Sequence, residues 1–306
     1  MATLLSTVEV AALLNVTETT IKRWTDQGTI ACIKTVGGHR KFLLKEVIRF
    51  SEENGYPVTG TFAPAISKKQ FETLEFCVQT ANYGKISEIF LEELLHGDKR
   101  GMHEILVYLA KHHISFSVIG DEVIRPAMVR IGERWAEGKL EVNQEHLASQ
   151  SVIEALIQLS PELHRKPSNG LTSVCACVEG DVHEIGLRIL AYALESEGWA
   201  VHYVGPNTPF DTLHSFMKAV HPDLLCLSYT IPKAKKEFFE EMKKTGKLAH
   251  AQKSVFVVGG YFAGSRTAGD FNCDHIATST RDAIAFLKDR FELKPGPKKK
   301  SSVAAR

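Results

Sequence analysis

The chain has 306 residues, 44% hydrophobic and 24% charged, with 37 basic against 36 acidic side chains. That length allows two or three domains with cores of their own, and the near-zero net charge means that any surface for a polyanion must be local. No apolar run reaches ~18 residues, so no membrane span is expected. The first residues carry Glu9 early and lack a basic start before an apolar stretch, so a signal peptide is not expected. The six cysteines are scattered without a Cys-x-x-Cys pair, which predicts a cytoplasmic protein without disulfides.

Residues 1–56 read as one small unit. Ser6-Thr7-Val8-Glu9 has the spacing of a capping box and predicts a helix with Val10, Ala11, Leu13 and Leu14 on its apolar face. Asn15-Val16 breaks it, and Thr17 can cap a second helix, Glu18 to Asp26. Ile21 and Trp24 then face inward, and Thr19, Thr20, Lys22 and Arg23 outward. Two short helices with a polar, basic second member read as a helix-turn-helix. A hairpin is expected around Gly37-Gly38, carrying Lys34, His39, Arg40 and Lys41, followed by a helix from Lys45 to Asn54. The positive charges gather on the second helix and the hairpin, the distribution that phosphate contacts require.

Residues 57–84 hold a Pro- and Gly-bearing linker, 57–66, and a possible extra helix, Ser67 to Thr80. Residues 85–160 predict a four-helix bundle: Ile86 to His96, Lys99 to His112, Ser115 to Glu137 and Val142 to Leu159. Pro126 predicts a kink in the third helix, and Gly138 its stop. After a second linker, 161–170, residues 171–293 alternate strands and helices. Strands are expected at Thr172, Ala200, Asp223, Ser254 and Asp274, and helices at Ile185, Phe210, Ala234 and Arg281. This pattern predicts a doubly wound, Rossmann-like parallel sheet. Cys175 and Cys177 share one strand face and are expected in its core. Residues 294–306 predict a disordered basic tail.

The chemistry concentrates at Asp181-Val182-His183-Glu184-Ile185-Gly186, between the buried run Thr172 to Val178 and a helical pattern. Ligands of open α/β sheets bind at such carboxyl edges. Imidazole is a good transition-metal ligand, and a neighbouring carboxylate fixes its tautomer and raises its basicity. Gly186 removes a side chain where something bulky could approach. Taken alone, Asp-x-His is more often a surface or capping pair. Two further elements occur in order, each at a later strand end: Ser228-Tyr229-Thr230 and Gly259-Gly260.

Asp181-x-His183-x-x-Gly186 with those two elements resembles the cobalamin-binding signature. Gly37-Gly38-His39-Arg40-Lys41-Phe42 is similar to the wing of the MerR and excisionase-like winged helix-turn-helix family. Trp135, nine intervening residues, then Glu145-His146, together with Val142, resembles the helical cap of cobalamin-dependent light-sensing repressors of the CarH type. Gln144-Glu145-His146-Leu147-Ala148 and Gly205-Pro206-Asn207-Thr208-Pro209 are similar to segments of the same regulators.

The resemblance implies an α/β multidomain regulator without enzymatic activity: winged helix-turn-helix, four-helix-bundle cap and Rossmann-like cobalamin-binding domain. Its cofactor would be cobalamin, in the adenosyl form. His183 would be the lower axial cobalt ligand, displacing the cofactor's own dimethylbenzimidazole, with Asp181 bonded to it. Gly186, Ser228, Thr230, Gly259 and Gly260 would accommodate the nucleotide tail, and Trp135, Val142, Glu145 and His146 would cover the upper face. Thr19, Thr20, Lys22, Arg23, Lys34, His39, Arg40 and Lys41 would meet a double-stranded DNA operator. The partners implied are that DNA and further copies of the chain, as dimer or tetramer. In such repressors light breaks the cobalt–carbon bond, the tetramer falls apart and DNA is released.

The sequence departs from this pattern after the cap tryptophan, where the family commonly has a cobalt-capturing histidine and this chain has Ala136. Three other readings stand beside the light-responsive repressor. One is a corrinoid methyl carrier of a methyltransferase system, which would have no use for residues 1–56. Another is a DNA-binding regulator responding to cobalamin independently of light. The last is a regulator whose Rossmann-like domain has lost cobalamin and serves only for oligomerisation.

Overall fold

The structure, a computed structural model, describes residues 4–35, 37–56, 65–231 and 236–292. Most of the expected 57–66 linker, the expected helix start at Ala234 and the expected tail 294–306 lie outside the described residues. The chain divides into two units, Met1–Ser67 and Lys68–Arg306.

The first unit runs β1 (Leu4–Ser6), α1 (Thr7–Leu13), α2 (Glu18–Asp26), β2 (Ile33–Lys34), β3 (Arg40–Leu43) and α3 (Leu44–Asn54). The capping box forms as its spacing predicts: the Ser6 amide donates to Glu9 at 2.6 Å, and the Glu9 amide to Ser6 Oγ at 3.3 Å. Thr17 Oγ1 accepts from the Thr20 amide at 3.2 Å and starts α2. Strand β1, three residues long and too short for a periodic signal, was not expected; it pairs antiparallel with β3 in a sheet of order β1-β3-β2. Ile21 and Trp24 of α2 are buried, the Trp24 ring lying 5.0 Å from Phe50 and 4.7 Å from Tyr56. Burying those two side chains turns Thr19, Lys22 and Arg23 outward, with Thr20 half-buried.

The second unit begins with helices α4 (Lys68–Gln79), α5 (Tyr83–His96) and α6 (Lys99–Lys111). The possible extra helix is real, and it packs on the bundle: Gln70 Nε2 donates to Glu93 at 2.6 Å, and Phe71 meets Tyr108 edge-on at 5.2 Å. The third bundle helix differs from the kinked α-helix expected. It comprises α7 (Phe116–Val118), a π-helical segment Ile119–Ile124 and α8 (Arg125–Ala136). Pro126 sits in the first turn of α8. A proline ring clashes with the carbonyl four residues back and donates no hydrogen bond, and the wider π turn gives it room. Ser87 Oγ donates to the Val123 carbonyl at 2.8 Å within that segment. Helix α9 (Val142–Leu159) follows.

The remainder alternates β4 (Thr172–Val178), α10 (Ile185–Ser196), β5 (Ala200–Thr208), α11 (Phe210–Val220), β6 (Leu224–Ser228), α12 (Lys236–Ala251), β7 (Val255–Gly259), α13 (Ala268–Phe271), β8 (His275–Ile276) and α14 (Thr280–Arg290). Only the four-residue α13 was unexpected among these. The five strands are parallel in the order β5-β4-β6-β7-β8. Central strand β4 is buried on both faces from Ser173 onward, as its continuous apolar run requires. Phe210, Met217 and Met242 fill one face of the sheet; Leu187, Leu194 and Ile284 fill the other. Cys175 pairs in register with Cys226, both buried, and all six cysteines are free. The chain is thus an α/β multidomain protein, with a winged helix-turn-helix, a helical bundle and a Rossmann-like sheet.

Bundle and sheet are locked together at the π segment. Asp121 accepts from the Thr280 and Arg281 amides, at 2.9 and 2.8 Å, at the N-terminus of α14. Arg281 also pairs with Glu122, and Arg125 donates to the Thr278 carbonyl at 2.9 Å. A side chain at Gly120 would collide with Ile189 of α10. A carboxylate satisfying two otherwise unpaired helix-terminal amides also complements the helix dipole. Asp121→Ala is therefore expected to destabilise the second unit by about 1–2 kcal/mol, read as a lower urea midpoint. An unchanged midpoint would show that water satisfies those amides equally well.

Candidate functional site

The strand order places the loop after β4 beside the loop after β6, at the point where the chain reverses its direction of winding; open α/β sheets bind ligands at this switch point. Asp181 ties the two loops together. Its carboxylate, 0% exposed, accepts from the Thr230 amide at 2.5 Å, from the His183 amide at 3.0 Å and from His183 Nδ1 at 3.0 Å. A carboxylate only accepts, so Nδ1 carries the proton and Nε2 remains bare for a ligand. Burial alone would push the Asp181 carboxyl up, but the bonds from His183 and Thr230 hold it below the usual aspartate value. The bond to Asp181 raises the His183 imidazole against the opposing effect of burial, with the charges of Asp181 and Glu145 adding to it.

The imidazole is half exposed, at 56% of its side-chain surface, whereas its carboxylate partner is sealed. Beneath it, Cys177 Sγ donates to the His183 carbonyl at 3.7 Å. Burial, then the Asp181 and Glu184 carboxylates, pushes that thiol up to about 12, so it remains a neutral donor. Asn207, at the end of β5 with φ of 50°, lies in the segment Gly205 to Pro209 that carried the resemblance, and it adds a tie that the sequence did not assign to it: Gly180 donates to Asn207 Oδ1 at 2.6 Å, and the Asn207 amide to the Asp181 carbonyl at 2.8 Å.

The other expected site residues divide. Gly186, in the first turn of α10, has open space where a Cβ would stand. Ser228 is buried, with its hydroxyl 3.4 Å from that of Thr230. Gly259 has only ordinary neighbours, but Gly260, at φ of 104°, lies with its backbone against Tyr229, where any side chain would collide. Gly260 is therefore demanded by chain packing whatever else it does. Trp135 is the last residue but one of α8 and Val142 opens α9; they are 49% and 52% exposed. Glu145, one turn into α9, accepts from Ser149 Oγ at 2.7 Å and is near enough to His183 to raise it. His146 is exposed, 3.7 Å from Glu145. Val182 and Tyr261, not singled out in the sequence, also project apolar surface beside His183 and Gly260 in the chain. Among the described residues no three His, Cys, Asp or Glu side chains form a metal-binding group; the loop offers a single imidazole.

In the first unit Lys22, Arg23, Lys34 and His39 are exposed, and Lys41 is half-buried. Arg40 is engaged: its guanidinium meets Asp26 at the end of α2 at 2.6 Å, and its buried Nε has no partner among the described residues. It ties the wing to the second helix.

A helix-turn-helix domain family matches residues 4–55, and two families described as B12 binding domains match residues 86–160 and 171–284. The chain is 38% identical over 122 residues to the HTH-type transcriptional repressor CarH of Myxococcus xanthus, a match covering 40% of each protein. The chain thus spans about two fifths of the length of that repressor. It is 28% identical over 187 residues to dimethylamine corrinoid protein 1 of Methanosarcina acetivorans, covering 59% of this chain and 85% of that one. The structure of the monomethylamine corrinoid protein of Methanosarcina barkeri shares the fold, with a TM-score of 0.58 at 15% identity over 67% of this chain and 98% of that one. No helix among the described residues is long and apolar enough to cross a membrane. In chain order, the protein carries a helix-turn-helix domain and two B12 binding domains, one built on the helical bundle and one on the parallel sheet.

Proposed function

We propose that the chain is a cobalamin-binding, DNA-binding transcriptional regulator, a cytoplasmic repressor rather than an enzyme. The observation that carries this reading is the presence, on one chain with a helix-turn-helix domain, of a half-exposed imidazole whose Nδ1 is bound by a buried carboxylate at the sheet's switch point. That donor set fits the cofactor. A single imidazole with a bare Nε2 suits a metal already held by its own macrocycle, and the open space at Gly186 admits bulk. His183 would hold cobalt from below, while Trp135, Val142, Glu145 and His146 would line the upper face. When bound, adenosylcobalamin would supply a light-sensitive cobalt–carbon bond. The chain's own part is to orient His183, exclude water with Trp135 and Val142, and pass the state of the cap to the DNA-binding unit through assembly of further copies.

A corrinoid methyl carrier is the second reading, favoured by the 85% coverage of the dimethylamine corrinoid protein. Residues 4–55 weigh against it, because a carrier needs no DNA-binding domain.

His183→Ala is expected to bind cobalamin roughly 10–100-fold more weakly or with a base-on spectrum; wild-type affinity and spectrum would remove His183 from the site. The pH dependence follows from the raised imidazole. A proton on Nε2 competes with the metal, so histidine ligation should be lost as pH falls, with a midpoint higher than the same imidazole would show without its carboxylate partner. Asp181→Asn should move that midpoint down, as spectrophotometric titration would record.

On operator DNA, Arg23→Ala should weaken binding and lower the salt slope by ~0.9, the value for one lost phosphate contact. Arg40→Ala should weaken binding with a smaller change of slope, because it loosens the wing by freeing Asp26. Wild-type affinity in both variants would move the DNA surface elsewhere.

With alanine at position 136, illumination of the adenosylcobalamin complex is expected to give no bis-imidazole absorption spectrum, and Ala136→His to introduce one. A stable bis-imidazole spectrum that survives His146→Ala would contradict this.

A further inference from the structure

His183 is followed by a residue whose side chain joins a second polar cluster. Glu184 Oε2 accepts from the Tyr203 hydroxyl of β5 at 2.6 Å and from Arg188 Nη2 of α10 at 2.6 Å. The Arg188 guanidinium lies over the Tyr203 ring, 4.4 Å from its centroid, so the three side chains close on one another. Glu184 and Arg188 are largely buried, at 14% and 17% of their side-chain surface. Arg188 Nε is buried without a partner among the described residues. A buried donor left unpaired is a cost, and the cluster surrounds the one residue that joins the His183 loop to α10.

We propose that Glu184, Arg188 and Tyr203 form a positioning clamp that fixes the backbone of His183 and so sets the reach of its Nε2. The proposal rests on reading His183 as the cobalt ligand. Asp181 fixes the ring: it binds Nδ1 and the amide of the same residue. It does not fix the distance between the loop and the sheet on the His183 carbonyl side. There the chain is held by the long Cys177 thiol contact and by Glu184. Tyr203 stands opposite Cys175 in the β4–β5 register, so the clamp ties the ligand's backbone to the edge strand β5 at the last regular pair before its register shifts against β4. Geometry held to within about half an ångström by such supporting groups is what a functional site requires. With the clamp cut, His183 keeps its tautomer but loses its fixed position, and the cofactor's own base competes better for the same face of the metal.

The test uses the full chain labelled with nitrogen-15 histidine and loaded with cob(II)alamin. Electron paramagnetic resonance then distinguishes the axial nitrogen: a doublet from labelled histidine, a triplet from the cofactor's unlabelled base. Wild type should give the doublet. Glu184→Ala should bind roughly tenfold more weakly, the lower end of the range for losing a group that orients a metal ligand, and should add a triplet component. Tyr203→Phe, which keeps the ring under Arg188, should add a smaller triplet component. Glu184→Gln retains an acceptor oxygen for Tyr203 and should recover most of the doublet. A pure doublet at wild-type affinity in both Glu184→Ala and Tyr203→Phe overturns the clamp, even if both melt earlier. Should Glu184→Ala fail to fold, Tyr203→Phe alone decides by the same criterion. His183→Ala separates the two levels. A triplet there with unchanged clamp variants rejects only the clamp, whereas a doublet there rejects His183 as ligand and the clamp with it.

Discussion

A single buried charge organises the cobalamin half of this chain. Asp181 is sealed from solvent yet held ionised, because three hydrogen bonds outweigh the cost of its burial. Those bonds do three separate things. One fixes the imidazole tautomer of His183, one fixes its backbone, and one reaches across to the Thr230 amide after the next strand. The switch point of the sheet is therefore bound shut by the same carboxylate that orients His183. Protonating or neutralising that group would loosen the fold and detune the site together.

A second carboxylate does comparable work at the other junction. Asp121 leaves the bundle at the π segment and caps α14 of the sheet domain. Between these two points in the chain lie the helices that carry Trp135, Val142 and Glu145, and the bundle they belong to is held to the sheet domain by capping bonds and an arginine pair. Trp135 and Val142 on those helices are half exposed.

How much of this was legible in the sequence depended on the range of the interaction. The Asp181-to-His183 relation spans two residues, and the capping box at Ser6 spans three; both could be read directly from spacing. The β4 run announced a buried central strand by composition alone. The Thr230 bond to Asp181 depends on β6 lying beside β4, which the alternation of strands and helices implies but no local motif states. Glu184 with Tyr203, and Arg40 with Asp26, are side-chain pairs across elements, and nothing in their neighbourhoods marks them. Pro126 correctly signalled an irregular helix. Its form, a π segment rather than a kink, depended on Ser87 and on the docking surface of α14, both remote in sequence. Gly260 was anticipated as room for a ligand, and the Tyr229 backbone turned out to need that room first.

The π segment has one further geometric meaning. It is a helix with an extra residue stored in its middle, and everything beyond that residue is set back by about 100° of rotation and about 1.5 Å of rise relative to an unbroken α-helix. Trp135 lies ten or more residues beyond it on the same rod. The direction in which that indole looks is consequently a matter of helical phase, decided where Asp121 and Glu122 grip the start of α14.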